Sequence, residues 1–292
     1  MSGENIFTGM VEEHEGDERW AFGTGFTDAL AGVDTTLPEG VDGGDLAQYC
    51  QMLGDDALVQ AQRLSQWVTD APELEEEVAL ANIALDLIGQ ARLLLARAGQ
   101  ADGTGRDEDA FAYRRGAAQF RNVRLAAAPR GDFARAVVTL LALSSWRLAL
   151  MSRLSRSRDP VLAAIADKAV NELTYHREYA VSWALRLGDG TEYSRERMGA
   201  ALAQVWPDTG ELFATHPVEA RMAEAGVGTD PGALSAEVHD VLVQVLSAAT
   251  LDPPAAFPEP LLAGRSGDHG PELSPLLQEM QEVARAHPEA TW

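Results

Sequence analysis

The stretch Glu75-Glu-Glu-Val-Ala-Leu-Ala-Asn-Ile-Ala-Leu-Asp-Leu-Ile-Gly-Gln-Ala-Arg-Leu-Leu-Leu-Ala-Arg-Ala98 decides the fold. Its apolar residues recur every three or four positions, which is the spacing of one face of an α-helix. The acidic residues at its start favour the positive end of a helix dipole. The pattern predicts a helix from Pro72 to about Ala98, ended by Gly99, and its predicted core-facing residues are Leu74, Val78, Ala81, Leu85, Ile88, Leu95 and Ala98.

Three further long helices surround this stretch in the sequence. One is predicted from Asp45 to a break at residues 69–72, one from Gly131-Asp132, and one from the start signal Asp159-Pro160 to Leu187. Aspartate before proline is a strong helix start, because the carboxylate caps free N–H groups and proline fits the first turn. Two helix pairs with a long middle connection predict an all-α, ferritin-like four-helix bundle over residues 45–190.

The segments outside the bundle have different character. Residues 1–44 lack sustained periodicity and are predicted to form a partly disordered N-terminal extension. A shorter helix is expected from Asp107 to about Phe120, within the middle connection. Residues 191–292 are predicted to pack on the bundle as additional helices at 192–205, 232–249 and 275–286, with a proline-rich connector at 251–260.

Composition limits the partners and the compartment. The formal charge of −22 disfavours nucleic acid and anionic membranes as partners, although acidic residues also simply keep soluble proteins dispersed. Cys50 is the sole cysteine, so neither an intrachain disulfide nor a thiolate-only metal site can form. The sequence has no signal-peptide pattern at its start and no long uninterrupted apolar run, and a cytoplasmic location is predicted.

A dinuclear metal site in such a bundle needs carboxylates from two helices and a Glu-x-x-His pair from each of the other two. No Glu-x-x-His occurs in the sequence, and the corresponding residues of the opening helix are Asp86-Leu-Ile-Gly89. The third long helix offers Ser144 and Ser145 and has no acidic residue between positions 133 and 158. His176 is the one histidine in the predicted bundle, so a dinuclear centre is not expected.

The remaining polar residues allow two interpretations. Glu172 and His176 are four residues apart, close enough for both to bind one ion or for each to bond to the other. A hydrogen bond inside the core is favoured over metal binding, because a bundle metal needs several convergent ligands. Asp86 is expected to be a buried carboxylate with a donor on a facing helix. Of the neighbours Asp55 and Asp56, only one is expected to point inward.

Several separate runs of the sequence resemble the C subunit of phenylacetyl-CoA epoxidase, over roughly residues 45–292. They occur in the same order along both chains and include the last residues. The runs are Leu53-Gly-Asp-Asp-Ala-Leu58, Ala79-Leu-Ala-Asn-Ile-Ala-Leu-Asp-Leu-Ile-Gly-Gln-Ala-Arg92, Phe120-Arg-Asn122, Tyr175-His176, Leu187-Gly-Asp-Gly190, Leu277-Gln-Glu-Met-Gln281 and Ala290-Thr-Trp292.

The resemblance implies a place in a bacterial multicomponent monooxygenase that converts phenylacetyl-CoA to its ring 1,2-epoxide. It implies a homologous catalytic A subunit as partner, which holds the di-iron centre and binds the CoA thioester. A small B subunit and a reductase with NADPH, FAD and a 2Fe-2S cluster complete that complex. By the same resemblance, Asp86-x-x-Gly89 and Glu172-x-x-Tyr175 stand where the A subunit has Glu-x-x-His, so both histidines are replaced.

Three hypotheses follow. The leading one is a non-catalytic structural subunit without metal or cofactor of its own, part of whose apolar helix surface stays uncovered in the isolated chain. The alternative is an independent ferritin-like di-metal carboxylate oxidoreductase that uses Asp56, Asp86, Glu172 and His176. A third hypothesis, compatible with the first, is that core polar residues form a vestigial network that holds the bundle in register. These residues are Asp56, Asp86, Glu172, Tyr175 and His176.

Overall fold

The computed structural model describes residue 30 and residues 32–290. Most of the predicted N-terminal extension therefore lies outside the described residues. Helices dominate the part that is described, and no strand occurs there. The α-helices in that part are α1 (Gly43–Ser65), α2 (Leu74–Ala101), α3 (Glu108–Tyr113), α4 (Phe133–Leu154), α5 (Pro160–Gly188), α6 (Glu192–Val205), α7 (Pro217–Glu224), α8 (Ser235–Ala248) and α9 (Leu273–Ala286).

The four long helices α1, α2, α4 and α5 form the bundle. α1 packs along α2, α4 packs along α5, and the two pairs meet mainly where α2 contacts α5. Three of these helices begin at aspartate caps, whose carboxylates accept backbone N–H groups in the first turn: Asp42 from Asp45, Asp132 from Arg135 and Asp159 from Leu162, at 2.8–2.9 Å. The predicted all-α, ferritin-like four-helix bundle is confirmed.

The sequence predicted that Gly99 ends the second helix, but the helix runs past it. α2 continues to Ala101. A Cβ atom at position 99 would lie 1.9 Å from the carbonyl oxygen of Arg106. The glycine is therefore required by the close approach of the following loop, and the helix ends two residues later.

The predicted core face of α2 is wrong over most of its length. Leu74, Val78, Leu85 and Ile88 are 70, 54, 62 and 44% exposed. The opposite side of the helix is also apolar, and that side packs against the core. Its buried apolar residues are Leu80, Ile83, Ala84, Leu87, Ala91 and Leu94. A helix with two apolar faces offers no polar face that would identify the solvent side, so periodicity alone could not choose between them.

The C-terminal part covers the bundle on two sides. α6 and α8 pack on the α4/α5 pair, whereas α7 and α9 pack on α1. α6 has the predicted bounds, while α8 begins at Ser235, after a 3-10 turn over Pro231–Leu234. α7 and the 3-10 helix Trp206–Phe213 were not predicted, and α3 ends at Tyr113, well before the expected Phe120. Residues 251–260 have no regular secondary structure.

Two helices are long and apolar enough to cross a membrane by length and composition alone, contrary to the expectation from the sequence. They are α2 and α4, and 44% and 78% of their most apolar windows are buried in the fold. Core helices of soluble proteins meet the same criterion. The difference between the two helices reflects the exposed apolar face of α2.

Candidate functional site

The four bundle helices converge on a buried arginine. Arg147 of α4 is 1% exposed. Its Nε donates to Oε1 of Gln90 on α2 at 3.0 Å, and its Nη1 donates to the carbonyl oxygen of Leu53 on α1 at 3.2 Å. Gln90 in turn donates from Nε2 to Oε2 of Glu172 on α5 at 2.9 Å. One side chain thus links three helices directly and the fourth through a single glutamine.

This polar centre carries positive charge. Burial lowers the pKa of Arg147 to about 10, against the opposing effect of Asp56, so the guanidinium stays protonated at neutral pH. The ammonium group of Lys168 lies 3.2 Å from Oε1 of Glu172, one turn before it on α5. Glu172 therefore has an ammonium group and an amide donor as neighbours, and both of its oxygens are engaged.

Asp86 and His176 form a second contact between α2 and α5. Nε2 of the buried His176 lies 3.0 Å from Oδ2 of Asp86, and a carboxylate can only accept, so the ring N–H donates. The expected donor on a facing helix is therefore His176. Asp86 itself is not buried as expected, because 36% of its side chain is exposed.

Asp56 forms a buried ion pair away from the α2–α5 contact. Arg265, in the C-terminal segment, donates from Nη1 and Nη2 to the two oxygens of Asp56 at 2.9 and 2.7 Å. Burial alone would lower the pKa of Arg265, but the carboxylates of Asp56 and Glu219 outweigh it and raise that pKa above its ordinary value. The backbone N–H of Val123 also donates to Oδ1 of Asp56 at 2.8 Å.

One of Asp55 and Asp56 was expected to point inward and the other to be solvated, and the second part is wrong, because both are buried. Asp55 forms an ion pair with Arg115 and accepts the backbone N–H of Arg121 at 2.8 Å. α1 is covered on more than one side, since the middle connection packs on it as well as α7 and α9. Neighbouring carboxylates can therefore face different elements and still both avoid water.

The candidate ligands do not assemble a metal site. Asp56, Glu172 and the pair of Asp86 with His176 lie in three separate sets of contacts. Tyr175, predicted in the same network, is 45% exposed. Across residues 32–290 no group of three or more His, Cys, Asp and Glu side chains could hold a metal ion. Because the centre also presents the cations of Arg147 and Lys168, the residues present do not fit a dinuclear metal centre.

The residues at the centre of this site, Arg147 and Gln90, were not among the candidates predicted from the sequence. Those candidates were acids and histidines on the four helices, with one tyrosine. A signal was available: Arg147 lies seven residues after Leu140 and four before Met151, on the buried side of α4. A charged residue at a core position of an apolar helix requires an internal partner.

A cleft of about 890 Å³ lies apart from this centre, between α6 and the proline-rich connector. Glu192, Arg195, Trp206 and Pro258 are among its lining residues, and none of the core polar residues reaches it.

Comparison with known proteins agrees with the resemblance found in the sequence. A family model described as "Phenylacetic acid catabolic protein" matches residues 35–292, beginning ten residues before the resemblance that the sequence runs defined. The chain is also 40% identical, over 247 residues, to the C subunit of 1,2-phenylacetyl-CoA epoxidase from Escherichia coli (strain K12), with 85% of this chain and 99% of that protein covered. The chain therefore belongs to the family of phenylacetic acid catabolic proteins.

Proposed function

We propose that this chain is a non-catalytic structural subunit of a multicomponent phenylacetyl-CoA epoxidase, which supports a homologous catalytic A subunit in the cytoplasm. The observation that carries the proposal is the Arg147–Gln90–Glu172 centre, which occupies the bundle interior with a fixed cation. The relative named as the C subunit of 1,2-phenylacetyl-CoA epoxidase, matched over almost its whole length, supplies the reaction and the kind of complex.

The polar centre supports the non-catalytic role by its chemistry. A catalytic metal in a bundle requires anionic ligands and an open coordination position for a reactant. Here a guanidinium binds side chains and backbone of facing helices, as a structural metal would, but it offers no exchangeable position. Its charge also opposes the entry of a divalent cation by Coulomb repulsion in a poorly solvated interior.

The partners and cofactors of the proposed complex lie in other chains. The A subunit is proposed to hold the di-iron centre and the CoA thioester, beside a small B subunit and a reductase with NADPH, FAD and a 2Fe-2S cluster. The proposal also includes the division of this chain into an extension (1–44), a bundle (45–190) and additional helices (191–292). The polar contacts of Asp56, Asp86, Glu172 and His176 are proposed to hold the bundle in register.

Metal analysis and reconstitution test the proposal together. The chain is expressed alone in iron-supplemented medium and analysed by inductively coupled plasma mass spectrometry, with the catalytic subunit prepared identically as the positive control. We expect no stoichiometric iron in this chain. We also expect the catalytic subunit to need this chain for full solubility, iron content or turnover. Stoichiometric iron in the isolated chain would favour the independent oxidoreductase instead. A catalytic subunit that is fully soluble, iron-loaded and active alone would refute the supporting role.

A further inference from the structure

The outer face of α2 carries an exposed apolar stripe. The stripe consists of Leu74, Val78, Ala81, Leu85 and Ile88, and its four larger residues are each at least 44% exposed. It runs over about 21 Å of helix, given a rise of 1.5 Å per residue. A surface helix ordinarily exposes polar residues on this side, and a contiguous apolar patch usually marks an interaction surface.

The spacing of the stripe is that of a helix-packing seam. Its members follow one another at intervals of four, three, four and three residues. This alternation keeps side chains in line along a second, nearly parallel or antiparallel helix, as in coiled coils and four-helix bundles. We infer that a long helix from the bundle of the catalytic A subunit docks on this stripe of α2. This inference rests on the proposed function.

The charges beside the stripe specify the partner helix further. Glu73, Glu75 and Glu77 lie at its N-terminal end, where the structure leaves Glu73 and Glu75 exposed. Arg92 follows at its C-terminal end, already paired with Glu108 at 2.7 Å. A complementary helix therefore carries its own apolar heptad pattern with basic residues beside the acidic end.

A second copy of this chain fits the stripe less well. An antiparallel pair of α2 helices that places Ala81 beside Leu85 sets Arg92 beside Leu74, where its charge interrupts the apolar seam. Arg92 is already paired with Glu108 and is not available to the acidic end. A parallel pair brings Glu75 and Glu77 beside their own copies, which repel. The charge of −22 on each chain adds a long-range repulsion between two copies.

The interface extends beyond the stripe. A stable interface buries about 800 Å² on each partner, more than five side chains on one helix supply. Tyr175 on the neighbouring α5 is 45% exposed and precedes His176, whose ring bonds to Asp86 on α2. This tyrosine provides a large side chain for the continuation of the interface onto α5.

Charge insertion with matched controls tests the docking surface. Val78→Glu and Leu85→Glu place a carboxylate in the stripe, at positions that are 54% and 62% exposed. The matched controls are Val283→Glu on α9 and Leu261→Glu, which make the same changes outside the stripe at positions that are 56% and 67% exposed. We expect both stripe variants to bind the catalytic subunit about tenfold or more weakly, since each buries an unpaired charge. We expect the controls to bind as the wild type does, and all four to keep the wild-type melting temperature.

The outcomes separate the inference from the proposed function. If the wild type binds the catalytic subunit and the stripe variants bind equally well, the docking surface is wrong while the supporting role stands. If the wild type does not bind at all, the proposed function itself fails. Two further results would show a different occupant of the stripe. A wild-type homodimer, seen by sedimentation equilibrium, that Leu85→Glu dissociates would show a second copy of this chain. Flotation of the wild type on phosphatidylethanolamine and phosphatidylglycerol vesicles that Leu85→Glu abolishes would show a membrane surface.

Discussion

At the scale of single residues, Arg147 occupies the interior of the bundle between its helices. Its guanidinium donates to groups on α1 and α2 and reaches α5 through Gln90. A buried cation is costly to desolvate, and this cost appears as a pKa lowered to about 10. Its stabilising effect therefore comes from the hydrogen bonds and the space it fills rather than from its charge.

Two substitutions at position 147 separate these contributions. We expect Arg147→Ala to lower the free energy of unfolding by about 2–5 kcal/mol, because it leaves a cavity and removes the donor to Gln90. Arg147→Met is expected to cost less, about 1–2 kcal/mol, because the thioether chain fills much of the volume and no cation is buried.

Urea unfolding followed by circular dichroism measures both variants. Equal losses in Arg147→Ala and Arg147→Met would show that the hydrogen bonds, and not the filled volume, dominate. Iron analysis of Arg147→Met provides a further check, since removal of the guanidinium alone supplies no ligands and should create no metal site.

At the scale of single elements, α2 is attached to α5 by contacts near its start and in its middle. Near its start, Glu76 accepts hydrogen bonds from Tyr179 Oη at 2.5 Å and Trp183 Nε1 at 2.7 Å. Burial and the bond to Glu76 raise the pKa of Tyr179, so the tyrosine remains a donor at neutral pH. Farther along, Asp86 and Gln90 repeat the attachment with His176 and Glu172. The inner side of α2 is thus fixed while its outer side stays free.

Two glutamates of the first turn, Glu76 and Glu75, provide a matched experiment on this attachment. We expect Glu76→Ala to cost about 1–3 kcal/mol of stability, because two partly buried donors lose their acceptor. Glu75→Ala removes the same charge from the same helix end at an exposed position and should cost under about 1 kcal/mol. Thermal unfolding with Trp fluorescence as the probe measures both. A similar loss in the two variants would attribute the effect to the helix dipole alone.

For the molecule as a whole, Arg265 ties the C-terminal segment to the bundle. It forms the bidentate pair with Asp56 and lies 3.5 Å from Glu219 on α7. The turn that presents it requires Gly264, where a Cβ atom would lie 2.1 Å from the carbonyl oxygen of Asn122. A single buried cation therefore joins α1, α7 and the chain after the proline-rich connector.

Arg265→Met should destabilise the protein by about 3–5 kcal/mol, because two buried carboxylates lose their counter-ion. Burial already raises the pKa of Glu219, against the lowering effect of Arg265. A carboxyl group with a raised pKa binds its proton more tightly when folded, so its contribution to stability is present at low pH and is lost as pH rises. The deficit of the variant should therefore shrink as the pH falls from 7 toward the ordinary glutamate value.

Urea unfolding at several pH values checks this, with the exposed pair of Arg153 and Glu237 as the control. Arg153→Met should cost under about 1 kcal/mol at every pH. A pH-independent deficit in Arg265→Met would show that lost packing, rather than uncompensated charge, destabilises the variant.

The sequence by itself determined the four long helices and the family. Helix starts followed from Asp-Pro and related caps, whose effect is local, and the ligand count followed from residue types alone. Only the tertiary structure decided which apolar face of α2 is covered, because a helix apolar on both sides has no local preference between them. It also decided that Asp55 and Asp56 are both buried and that Arg147 and Arg265 are the central cations. These contacts join residues up to about two hundred positions apart, and no local pattern encodes which distant element supplies the partner.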